Sequence, residues 1–175
     1  YARGLPIFTV SVAVACDGRP VAGALYEPLS DRMYHASRGD GAFCDDQRLA
    51  CSRRGDMSDF VLGLDWPRTE AVRARLMEAM LAGSARVGGW RSLGSAALGI
   101  AMVGAGILDA YVHPTLHVWD MAAAGLIVEE AGGKVTGLNG STSWWLESGC
   151  LASNGLAHEA LLEMFESVTR RGVSQ

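Results

Sequence analysis

The sequence predicts a layered α/β fold of α+β character, with an antiparallel sheet first and a second sheet with flanking helices after it. Three observations carry this expectation. Over the first third, β-branched and aromatic residues recur in short runs separated by turn dipeptides. From Pro67 onward the apolar spacing lengthens toward 3.6, and helical segments alternate with short strands. The composition, 49% hydrophobic and 19% charged over 175 residues with no repeat or low-complexity tract, supports one core. A chain of this length buries roughly 70% of its unfolded surface, so one domain, or part of a larger one, is expected.

Taken in order, residues 5–15 are rich in Val, Ile, Phe and Thr, and Asp17-Gly18 is a hairpin signal before the run 20–26. A third short strand is expected at 31–36, and Arg38-Gly39-Asp40-Gly41 turns the chain into 42–44. Residues 45–57 are polar and read as loop, with a further strand at 60–64. Pro67 sits where a first helical turn begins, and Val72, Leu76, Met80 and Leu81 predict a helix over 70–82. Arg86-Val87 reads as a short strand, and 95–104 as a small-residue helix able to pack closely on a neighbour. A strand at 108–112, a helix at 120–131 closed by Gly132-Gly133, and a strand at 134–136 follow. A loop carrying Trp144-Trp145 leads to a strand at 150–152 and a final amphipathic helix at 157–168.

The same composition excludes several classes. Net charge is −4 and the isoelectric point about 5.5, which gives no basic face for nucleic acid. The uncharged stretch 94–108 is shorter than the ~20 residues of a membrane span, so no membrane partner is expected. Cys16, Cys44, Cys51 and Cys150 follow no zinc or redox spacing and read as buried, reduced thiols of a cytoplasmic protein. No charged segment followed by an apolar one opens the chain, so no signal peptide is visible. The sequence starts on Tyr1 inside what reads as structure, so a piece of a longer domain is expected.

Two segments could carry chemistry. In Leu116-His117-Val118-Trp119-Asp120, an acid opens a helix that is apolar on nearly every face. Asp120 therefore reads as either an N-cap or a cleft-facing metal ligand. In Arg91-Ser92-Leu93-Gly94-Ser95-Ala96-Ala97, a small-residue turn opens a helix whose free N–H groups suit an anion or hydroxyl. His113 and His117 stand four apart, but Pro114 between them argues against a helical metal pair.

Together with GLPIFTVSVAV (4–14), GRPVAGALYEP (18–28), GDGAF (39–43), DAY (109–111), WDMAAAGLIVEEAGG (119–133) and ASN (152–154), these segments resemble the inositol monophosphatase family, in family order across the chain. That resemblance implies a layered α-β-α-β-α sandwich whose N-terminal helices and part of the first sheet are missing. Residues 1–58 would be the rest of the first, antiparallel sheet, and 59–175 the second α/β half. Tyr1 would then end the motif D-P-x-D-G-T-x-N followed by Phe or Tyr. The upstream Glu, two Asp and Thr would hold most of the metal and orient water.

The resemblance further implies a lithium-sensitive phosphomonoesterase using Mg²⁺ on a small phosphorylated metabolite, forming a homodimer. Asp120 matches a magnesium ligand, and Gly94, Ser95 and Ala96 match the turn whose backbone contacts substrate hydroxyls. Trp119 matches a packing residue at the helix start. Glu129 and Glu130 read as solvent-facing or helix-pairing carboxylates. His113 stands where inositol-preferring members carry a substrate-binding acid. Imidazole donates a hydrogen bond but lacks a carboxylate's paired acceptors, so inositol specificity does not follow. Inositol phosphates or another small phosphorylated polyol, histidinol phosphate, fructose bisphosphate and phosphoadenosine phosphate all stay open as substrates, and a truncated, non-enzymatic remnant of the family is the alternative. Without the upstream ligands, the 175 residues alone are expected to be inactive.

Overall fold

The computed structural model describes residues 3–169; Tyr1 lies outside them. The first sheet is an antiparallel meander of β1 (Val10–Cys16), β2 (Arg19–Glu27), β3 (Arg32–Ser37), β4 (Gly41–Cys44) and β5 (Gln47–Arg48), in that order. Asp17 and Gly18 both take positive φ, 50° and 76°, as the tight turn between two right-twisted strands requires. Strand alternation places Leu25, Tyr34, Ala36 and Ala42 on the inner face, all buried. The outer face is left open, with Val10, Val12 and Val14 54–61% exposed. β5 was not expected. Its residues are polar, and the hairpin is held instead by Asp45 (φ 52°), whose carboxylate accepts the Met33 N–H at 2.9 Å.

The second sheet is mixed. β6 (Val61–Leu64) lies parallel to both β7 (Gly89–Arg91) and β8 (Ala110–His113), while β10 (Cys150–Ser153) runs antiparallel to β8 and β9 (Lys134–Thr136). Between the sheets lie α2 (Ala96–Gly104) and α3 (Val118–Glu130), packed on each other. The far face of the second sheet is covered by α1 (Glu70–Gly83) and α4 (His158–Thr169). The layers are thus sheet, helices, sheet, helices. The small residues of α3 explain the close approach of the first sheet: a Cβ on Gly23 would stand 2.7 Å from the Ala123 Cα, and one on Gly125 would strike the buried Trp144 ring. No helix among the described residues is long and apolar enough to cross a membrane.

Some expectations shift. The strand expected at Arg86-Val87 lies at β7, because the backbone of Gly88 passes so close to the Ser58 carbonyl that a Cβ there would strike it, and pairing begins beyond it. The first strand opens at Val10 rather than near residue 5, and Trp144–Leu146 forms a 3₁₀ turn within the expected loop. Glu129 and Glu130 neither face solvent freely nor pair helices. Glu130 accepts the N–H groups of Gly39 and Gly41, each at 3.0 Å, and Glu129 accepts Trp144 Nε1 at 2.9 Å and meets Arg38 at 3.5 Å. The end of α3 therefore clasps the β3–β4 turn. A second knot joins Asp109, 1% exposed, to Arg54, Ser52 and the Val61 N–H, with Asn154 bridging Ser52 and the Arg54 carbonyl.

Candidate functional site

The parallel strands β6 and β8 end side by side. One step beyond their last registered pair, Leu64 with Val112, stand Asp65 and His113. The carboxyl ends of parallel strands are where α/β sheets hold ligands, since helices begin there and present free N–H groups. After His113, Pro114 ends the strand, and the Leu116 N–H bonds the Ser148 carbonyl, fixing the approach to α3. α3 starts at Val118, two residues before the expected start, so His117 occupies the N-cap and Asp120 the third helical position. Asp120 is therefore not the N-cap. Its Oδ2 accepts the His117 N–H at 3.0 Å, at the positive end of the helix. Oδ1 has no protein partner among the described residues.

Asp120 and His113 share a cleft of about 650 Å³, whose walls include Trp66, Arg68, His117 and Trp119. Trp119 is 64% exposed and stacks on His117, the N-cap of α3, with ring centroids 4.4 Å apart. His113 is 6% exposed, and burial pushes its pKa down against the opposing charges of Asp65 and Asp120. His113 and His117, on a strand end and a helix cap, form no metal pair; no group of three or more His, Cys, Asp or Glu among the described residues could hold an ion. Asp120 alone fits as one hard oxygen ligand, which suits a cation such as Mg²⁺.

The Gly94–Ala96 turn is placed differently from Asp120 and His113. It opens α2 but does not line this cleft. Gly94 has φ 80°, a conformation that favours glycine, and its N–H is taken by Asp65 Oδ1 at 2.7 Å. The same oxygen accepts Ser92 Oγ at 2.9 Å, and Oδ2 accepts the buried Tyr111 hydroxyl at 2.9 Å. Burial, reinforced by the Asp65 charge, keeps Tyr111 protonated well beyond its ordinary range. Sequence reasoning missed Asp65. Its one signal was an acid directly after the apolar strand Val61–Leu64. The cysteines take no part. All four are free, but against expectation only Cys150 is buried, Cys44 and Cys51 being partly so and Cys16 exposed at the end of β1. Burial pushes Cys51 up to about 11 and Cys150 to about 12.

Comparison with known proteins places this geometry. Residues 1–170 match the profile of the inositol monophosphatase family. Inositol-1-monophosphatase of Mesorhizobium japonicum is 36% identical over 164 residues, 93% of this chain and 62% of the relative. Fructose-1,6-bisphosphatase/inositol-1-monophosphatase of Thermotoga maritima is 32% identical over 168 residues, 96% of this chain and 64% of the relative. The crystal structure of extragenic suppressor protein suhB from Bartonella henselae superposes with a TM-score of 0.87 at 33% identity, covering 98% of this chain and 64% of that one. The chain thus spans less than two thirds of the length of each of these proteins.

Proposed function

The chain belongs to the inositol monophosphatase family, and from that membership we propose that the protein carrying it is a Mg²⁺-dependent phosphomonoesterase acting on a small phosphorylated metabolite. The reading rests on Asp120: a half-buried carboxylate in the first turn of α3, with Oδ2 committed to the helix start and Oδ1 left for a ligand, on the wall of a cleft large enough for such an ester. Asp120 would hold Mg²⁺ from this side of the cleft. When bound, the ion supplies Lewis-acid charge and a more acidic water for attack on phosphorus. The remaining work falls to the chain's own groups. Asp65 holds the Gly94 turn, which opens α2 outside this cleft, and His113, on the cleft wall, is the residue offered to the leaving group.

One carboxylate does not make a catalytic Mg²⁺ site, which takes several oxygens in octahedral array. We assign the other ligands to the part of the longer relatives that this chain does not span. The unpaired thiols fit a reducing compartment, so the cytoplasm is the proposed location; a homodimer is proposed from family membership alone. The test is phosphate release from an ester panel with Mg²⁺, measured on the whole protein that carries this chain and on the 175 residues alone. The expected outcome is Mg²⁺-stimulated, Li⁺-inhibited release from the former and none above background from the latter. Robust release from the 175 residues would contradict the assignment.

A further inference from the structure

The inner face of the first sheet carries an unused hydroxyl. Tyr34, 1% exposed, lies on β3 two residues after Arg32 and directly across the ladder from Cys44, so these three side chains share one face. The Tyr34 hydroxyl is buried and meets no hydrogen-bond partner among the described residues. Burial pushes its pKa up and the Arg32 guanidinium opposes that, so the two stand near each other although no bond of normal geometry joins them. Native proteins rarely leave such a group unused, because its lost hydration is not repaid.

Arg32, Tyr34 and Cys44 border a cleft of about 470 Å³ between this end of the sheet and the segment that follows α2. It shares no residue with the Asp120 cleft. Arg32 offers only donors and Cys44 is a weak acceptor, so the Tyr34 O–H lacks a strong acceptor that could bridge it to the guanidinium. A carboxylate or a phosphate oxygen fills that role. Asp45 and Asp46 on the same walls select against the doubly charged phosphate and favour a carboxylate that carries a positive group beside it. Leu49 and Ile107, the latter 50% exposed, add apolar surface. Carboxylate, cation and short apolar chain together describe an aliphatic α-amino acid.

We propose that this cleft binds a free aliphatic α-amino acid, its carboxylate bridging Arg32 and the Tyr34 hydroxyl and its ammonium paired with the carboxylates of Asp45 and Asp46. The test is calorimetric titration of the whole protein that carries this chain with three probes: leucine, isocaproate, which lacks the ammonium, and isoamylamine, which lacks the carboxylate. Leucine is expected to bind, and each of the other two about tenfold more weakly or worse. Tyr34→Phe is expected to weaken leucine about tenfold. The melting temperature of that variant without ligand is expected to hold or rise, since the lost hydroxyl had no partner. Arg32→Gln, at an exposed side chain, is expected to weaken leucine and isocaproate and leave isoamylamine unaffected, and it keeps the proposal testable if Tyr34→Phe does not fold. Absence of leucine binding, binding that neither variant weakens, or isocaproate binding more tightly than leucine would overturn the proposal. A fall in the ligand-free melting temperature of Tyr34→Phe would overturn it too, since the hydroxyl would then already be bonded.

Discussion

Asp65 is where β6, the Gly94 turn and Tyr111 are tied together, and removing its carboxylate leaves the Gly94 N–H, Ser92 and the buried Tyr111 hydroxyl without a partner. Asp65→Ala is therefore expected to lower stability by about 3 kcal/mol, read by urea unfolding. Asp65→Asn, whose amide oxygen can still take Gly94 and Ser92, should recover most of it. A second residue makes stability depend on pH. His158 is buried between Ser153 Oγ (2.8 Å) and Thr136 Oγ1 (2.9 Å), and burial, helped by Lys134, lowers its pKa from 6.5 to about 4. Because the unfolded chain takes up this proton more readily, the contribution is complete above about pH 6.5. It is lost as pH falls toward 4, by up to roughly 3 kcal/mol. Unfolding curves of His158→Gln should lack that slope. Asp120 and His113 were legible because they lie in or beside one contiguous motif. Asp65 was not, because its partners stand 27, 29 and 46 positions away and no spacing rule links them.

At the scale of elements, α3 is apolar all round because it is sandwiched: β1 to β4 on one side, β9 and β10 on the other. That much follows from its sequence. The clasp at its C-terminal end does not, because a Glu-Glu pair looks solvent-facing until the fold brings Gly39 and Gly41 to it. Glu130→Ala is expected to cost about 2 kcal/mol and to speed hydrogen exchange at the Gly39 and Gly41 amides, with the rest of the first sheet less affected. Unchanged exchange at those two amides would show that the contact does not hold the turn. β5, which escaped the sequence reading, and β7, which it placed a few residues early, have two and three residues. Segments so short carry no alternation, and their pairing is set by the Asp45 turn and by the close pass of Gly88.

For the molecule as a whole, the four layers set the carboxyl ends of β6 and β8 beside the start of α3, and this junction, rather than any single motif, makes the cleft. The central claim is that Asp120 serves a metal and not only its helix. One substitution separates the two roles. Asn at this position keeps an oxygen for the His117 N–H, so the helix start survives, but it removes the negative charge offered to Mg²⁺. The decisive measurement is turnover of Asp120→Asn at saturating Mg²⁺, in the whole protein that carries this chain, alongside its melting temperature. The account predicts a loss of ~10²–10³ in turnover with the melting temperature nearly unchanged. Turnover near that of the unsubstituted protein, at an unchanged melting temperature, would contradict it and leave Asp120 as a brace for the first turn of α3.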